Sequence, residues 1–163
     1  MNPWISILFV LAALGGLIGT VHFSPFKGEA ARKAIHLGMG CICLSFPWLF
    51  QATWPVTLLA ALATLALLAL RFLKPAVGKV LHDIARRSIG ELLFPIGVAL
   101  VFRLSDGVNS LYLPAVAILT FGDSAGALIG RRFGKHQYRT NAGTKSIEGS
   151  SAVFFVSALI VFI

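Results

Sequence analysis

The chain has 163 residues, of which 57% are hydrophobic and only 12% charged, with 14 Lys and Arg against 6 Asp and Glu, a net charge of +8. So apolar a composition excludes an ordinary soluble domain and points to an all-α, polytopic transmembrane helix bundle. The positive charge is divided among short loops between apolar runs, which makes it a mark of membrane topology and excludes nucleic acid as a partner.

About 20 apolar residues are needed to cross a bilayer as a helix. Runs of this kind cover Trp4 to Val21, Ala34 to Leu49, Trp54 to Leu73, Ile89 to Leu104, Leu111 to Gly130 and Ile147 to Ile163. About six helices are therefore expected, in a single integral membrane domain over residues 1–163 that leaves no room for a separate soluble unit. Met1-Asn2-Pro3-Trp4 lacks the basic region of a signal peptide, so the first run is expected to be retained as a span. The last run, at about 1.5 Å per residue, reaches roughly 25 Å, short of a hydrocarbon core of about 30 Å, and the natural chain is expected to continue beyond Ile163.

Lys27, Arg32 and Lys33 precede the second run. Arg71, Lys74, Lys79, Arg86 and Arg87 lie around the connection from the third to the fourth, and Arg131, Arg132, Lys135, Arg139 and Lys145 lie between the fifth and sixth. Basic residues collect in cytoplasmic loops. All three connections fall on one side, with only Arg103 opposite, so the N-terminus is expected outside and the basic loops in the cytoplasm; in a bacterium the membrane would be the inner one. In the second of these connections Val77, Val80, Leu81 and Ile84 recur at helical spacing against Lys79, His82, Asp83, Arg86 and Arg87, the pattern of an interfacial amphipathic helix. Cys41 and Cys43, two apart on a helix, point to different faces and are read as packing residues.

The fifth run carries an acid. An ionisable group at membrane depth costs roughly 2.5–3.5 kcal/mol even on the lenient scale, so Asp123, about 10 Å below the cytoplasmic end of its helix, is read as a divalent-cation ligand or a catalytic acid, with a structural hydrogen bond to a neighbouring helix as the alternative. Gly122, Gly126, Gly130 and Gly134 recur every four residues beside it, a stripe along which another helix packs closely. The loop that follows offers Gly134-Lys135, Gly143-Thr144-Lys145-Ser146 and Glu148-Gly149. Backbone amides at glycines, lysine charge and the positive end of the next helix suit a polyphosphate. The spacing is not that of a Walker A loop. Arg32, Lys33 and His36 at the start of the second helix, and Ser88, Glu91 and Pro95 at the start of the fourth, open onto the same side.

Three segments together resemble the CTP-dependent lipid-alcohol kinases of the dolichol kinase and phytol kinase type, with their bacterial polyprenol and diacylglycerol kinase relatives, distantly related to phosphatidate cytidylyltransferases. They are Arg32-Lys33-Ala34-Ile35-His36, Arg87-Ser88-Ile89-Gly90-Glu91, and the block from Gly122-Asp123-Ser124-Ala125 through Gly130-Arg131-Arg132-Phe133-Gly134-Lys135 to Lys145-Ser146-Ile147-Glu148-Gly149-Ser150. The resemblance implies transfer of the γ-phosphoryl group of CTP to a membrane lipid alcohol. In that reading Asp123 binds Mg²⁺ with Glu148 as second ligand or base, and Lys145 and Lys135 hold phosphates. Gly134, Gly143 and Ser146 cradle them, Arg32, Lys33 and His36 close the nucleotide site, and the alcohol enters along the glycine stripe. A cytidylyltransferase is the alternative, although the His-Gly-Gly and Asp-Arg signature of that group is absent. A small transporter is the third reading, against which stands the crowding of polar groups at one face instead of the midplane.

Overall fold

In a computed structural model of the protein, residues 2–25, 28–72, 89–140 and 143–163 are described. The first apolar run becomes α1 (Pro3–Phe23), entered through Asn2, whose side chain accepts the Trp4 amide at 3.0 Å, and through Pro3, which gives up no needed donor at a helix start. Next comes α2 (Gly28–Leu44), which begins ahead of the apolar run, so that Arg32, Lys33 and His36 ride on the helix and not in the loop before it. The run expected to reach Leu49 breaks at Ser45, and the single turn α3 (Phe46–Leu49) follows. Pro47 is the reason: it has no amide to bond the Cys43 carbonyl one turn back. The hydroxyl of Tyr112, from a distant helix, donates to that carbonyl instead, at 2.8 Å.

The long helix α4 (Thr53–Phe72) packs along α5 (Ile89–Ser105). A tight turn follows, in which Asp106 and Gly107 both take left-handed conformations, φ 44° and 81°, and the Val108 amide bonds the Ser105 carbonyl at 2.8 Å. Then α6 (Asn109–Ala117), a π-helical turn (Ile118–Gly122) and α7 (Asp123–Phe133) run on as one helix of 25 residues. Where the sequence suggested only loop, strands β1 (Gln137–Thr140) and β2 (Gly143–Ser146) form an antiparallel hairpin, pairing Gln137 with Ser146 and Tyr138 with Lys145. The fold is thus mostly but not wholly helical. The last element is α8 (Ile147–Phe162).

Among the described residues, Pro3–Phe23 and Asn109–Phe133 are long and apolar enough to cross a membrane, and Thr53–Ala69, Leu92–Ser105 and Ile147–Phe162 are shorter apolar helices. The interfacial helix expected over 77–87, Lys27, Lys74 and Ser88 lie outside the described residues, as do the side chains of Arg71 and Glu91.

Val10, Val56, Val98, Tyr112 and Val116 form the centre of the core, where α1, α4, α5 and α6 meet. Two crossings set the rest. A Cβ at Gly40 of α2 would collide with the buried Thr120 side chain, so α2 lies directly against the π turn. One at Gly149 of α8 would come within 2.8 Å of the Gly126 carbonyl and 3.0 Å of Gly130 Cα, so α8 lies backbone to backbone on α7. Gly122 and Gly126 both face Val153 across this seam, and the glycine stripe is therefore occupied by α8.

The two ends of the bundle differ. Trp4 and Trp54 stack edge to face at 5.4 Å, and the buried Ser6 hydroxyl bonds the Leu49 carbonyl of α3 at 2.9 Å, so all three tryptophans lie at one end and are exposed there. The opposite end carries the first turns of α2, the end of α7 and the hairpin, with their cations.

Candidate active site

A π turn holds one residue more than an α turn, and every side chain beyond it is rotated by about 100° relative to an uninterrupted α-helix. The π turn, Ile118–Gly122, ends immediately before Asp123. Within the turn Thr120 donates its hydroxyl to the Val116 carbonyl at 2.7 Å, and Ser124 to the Thr120 carbonyl at 2.8 Å, so side chains take up acceptors along the distorted stretch. The Leu119 carbonyl lies 3.4 Å from His36 Nε2 on α2.

The close contact of Gly40 with Thr120 brings the N-terminal half of α2 over Asp123. Lys33, 7% exposed, donates its ammonium to Asp123 Oδ2 at 2.5 Å, and His36 Nε2 lies 3.7 Å from the same oxygen. A buried ammonium requires a partner, and the carboxylate supplies it. The Asp123 side chain stays 57% exposed, and its open side faces a cleft of about 600 Å³.

One wall of this cleft is α7, with Asp123, Gly126, Gly130 and Arg131; another is the hairpin, with Tyr138, Thr140, Thr144 and Lys145; Ser146, Gly149 and Ser150 at the start of α8 complete it, and Arg32 reaches it from α2. Three cations, one carboxylate and a ring of hydroxyls thus share one space. The first turn of α8 adds the positive end of its dipole. Ser146 caps that helix, its hydroxyl accepting the Gly149 amide at 3.1 Å, and Tyr138 ties the hairpin to the same turn through Ser150 Oγ at 2.7 Å.

The structure gathers some of the expected site residues and separates others. Asp123, Lys145, Arg32 and Ser146 line the cleft, and Lys33 and His36 bear on Asp123 from behind. Gly134 ends α7, its amide on the Gly130 carbonyl at 3.1 Å, and packs against Ser146; Gly143 opens β2 at φ 120°. Neither glycine lines the cleft, and nor does the exposed Lys135. Glu148 is turned to His136: its Oε1 lies 2.7 Å from His136 Nδ1, and both its oxygens accept the His136 amide at 3.2 and 3.3 Å. With the Ile147 amide on the His136 carbonyl at 2.9 Å, these contacts clamp the base of the hairpin to α8.

Tyr138, Thr140 and Ser150 went unread in the sequence as site residues, and Arg131 counted only as a marker of sidedness and as part of a motif. Tyr and Thr are strand formers, and Asn and Gly nearby are common in turns, but the stretch is polar throughout and shows no alternation to announce a strand.

No family model matches the chain, and no solved structure does. Among curated proteins it is similar to a phytol kinase of Synechocystis sp., 28% identical over 169 residues that take in 98% of this chain and 70% of the relative. The chain is therefore related over nearly its whole length to a phytol kinase, and the lipid-alcohol kinase resemblance read from its sequence is borne out.

Proposed function

We propose that this protein is an integral membrane kinase that transfers the γ-phosphoryl group of CTP to the hydroxyl of an isoprenoid-type lipid alcohol, in a cleft at the cytoplasmic end of its helices. The observation that carries the reading is the meeting of Asp123, Lys145, Arg131 and Arg32 in one cleft, in a chain related to a phytol kinase.

Phosphoryl transfer asks for positioning and for charge around the phosphates, and for little covalent chemistry from the protein. Lys145, Arg131 and Arg32 bind the polyphosphate, with Thr144, Ser146 and the start of α8 as further donors. Mg²⁺ suits a set of one or two carboxylates completed by phosphate oxygens and water. Asp123 is the carboxylate that lines the cleft, and among the described residues no cluster of three or more His, Cys, Asp or Glu side chains exists to hold an ion without the nucleotide. When bound, the ion would neutralise charge on the β- and γ-phosphates. Lys33 fixes the Asp123 carboxylate in place through its hydrogen bond to Oδ2. The alcohol oxygen forms a bond to the γ-phosphorus as the bond to the bridging oxygen of CDP breaks, CDP leaves with that electron pair, and the hydroxyl proton passes to Asp123 or to solvent. Glu148 acts at one remove, by holding the hairpin that carries Lys145.

The exposed tryptophans at one end and the cations at the other support a placement with the N-terminus outside. The test is to supply the reconstituted protein with CTP or ATP and with phytol, a polyprenol or diacylglycerol, and to identify the lipid formed. An isoprenoid monophosphate made from CTP is expected; a CDP-lipid, or no lipid product, contradicts the reading.

A further inference from the structure

On the far side of His36 from Asp123 lies a second space. It is an apolar groove of about 280 Å³ between α1, α2, α4 and α5, walled by Leu14, Met39, Leu59, Ala63, Phe94 and Val98. Its Phe94 wall meets His36 edge to face, with ring centroids 4.7 Å apart, and His36 Nε2 is in turn 3.7 Å from Asp123 Oδ2. His36 thus stands between Phe94, on the wall of the apolar groove, and Asp123, on the wall of the polar cleft. We propose that this groove receives the hydrocarbon tail of the acceptor alcohol, with His36 at the boundary where the tail ends and the hydroxyl begins, and that it admits one isoprenoid chain and rejects a two-chained diacylglycerol.

The inference rests on the kinase reading and refines it. An amphiphile whose hydroxyl is delivered to Asp123 needs an apolar path that touches the site, and where the glycine stripe of α7 is not covered by α8 it lines the polar cleft. The groove makes that contact through Phe94 and His36. At about 280 Å³ it falls just below the roughly 300–1,000 Å³ usual for small-ligand pockets, a size that suits a single chain and not two. Its width comes from Ala60, Ala63 and Ala66 along α4, where larger side chains would fill it.

The experiment uses a phytol analogue carrying a photoreactive diazirine in its tail, with the full chain in lipid nanodiscs and no nucleotide. Labelling is expected on α4 and α5 around Ala63 and Val98, displaced by phytol and not by diacylglycerol. Ala63→Phe is expected to lower labelling about tenfold and to raise KM for phytol by a similar factor, with KM for the nucleotide within about twofold of normal. Leu65→Phe adds bulk to the same helix at a side chain 62% exposed, and is expected to change neither. The map in the unaltered protein needs no variant to fold. Label spread over exposed side chains, or displaced equally by diacylglycerol, overturns the proposal. If phytol is phosphorylated but Ala63→Phe leaves its KM unchanged, the groove assignment fails and the kinase reading stands. If the groove is labelled as expected but no phosphorylated lipid is made with any nucleotide, the kinase reading fails and the groove stands.

Discussion

Asp123 and Lys33 are separated by 90 positions in the chain and joined by one hydrogen bond. An acid in an apolar run is conspicuous, so Asp123 was legible from composition alone, and Lys145 from its place among glycines and hydroxyls ahead of a helix. The partnership was not legible, because it depends on the crossing of α2 over a π turn, and π turns carry no local pattern in the sequence. The pair gives a prediction that separates structure from chemistry. Asp123→Asn strands the Lys33 ammonium. Because the Asp123 side chain is 57% exposed, the destabilisation is expected at about 1–2 kcal/mol, below the ~3–5 kcal/mol typical of breaking a fully buried pair. Turnover is expected to fall about a hundredfold or more, the scale of losing one aligned electrostatic contact in a phosphoryl-transfer site. Adding Lys33→Met to Asp123→Asn is expected to recover the stability and none of the turnover, as denaturation in mild detergent and a lipid-phosphorylation assay would reveal. Normal turnover in Asp123→Asn would leave the carboxylate a purely structural role.

Two junctions between elements decide how well the cleft is formed. At the seam of α7 and α8, Gly149→Ala puts a methyl against the Gly126 carbonyl and Gly130 Cα, backbone atoms that cannot step aside. A loss of about 1–3 kcal/mol is expected, with weaker nucleotide binding. Gly122→Ala, whose nearest neighbour would be Ser157 Oγ at 3.5 Å, is expected to be tolerated. Equal stability of the two variants by thermal unfolding would disprove the seam. The stripe was legible because it repeats every four residues; which helix fills it was not, since small residues announce a close approach without naming the partner. The second junction is the clamp of Glu148 on His136. Glu148→Gln is expected to speed hydrogen exchange in β1 and β2 and to raise KM for the nucleotide about tenfold, the order expected for losing one hydrogen bond to a charged group. The Mg²⁺ concentration for half-maximal rate is expected to stay the same. A large increase in that concentration would instead return Glu148 to the metal, as the sequence had suggested.

Across the whole molecule, the apolar runs located the helices, closely for α1 and α8 and least well for α2, which begins six residues ahead of its run, since burial in lipid or in a core imposes the same composition on both. Their breaks were less visible: Pro47 ends α2 early, and the hairpin over 137–146 has no apolar face to betray it. Opposite placement of the tryptophans and the cations predicts that a cysteine at Arg139 reacts only with reagent applied from the cytoplasmic side, and one at Asn109 only from outside. Reaction of both from one side would remove the shared face on which the site depends. The reaction itself is tested most directly by the fate of isotope from CTP, with phytol as acceptor and the protein shown to be folded in the membrane. Label in the γ position is predicted to appear in the lipid as a monophosphate ester, with CDP released, while label in the α position stays in the nucleotide. Cytidine attached to the lipid, with pyrophosphate released, would contradict the account and point to a cytidylyltransferase; so would the absence of any transfer.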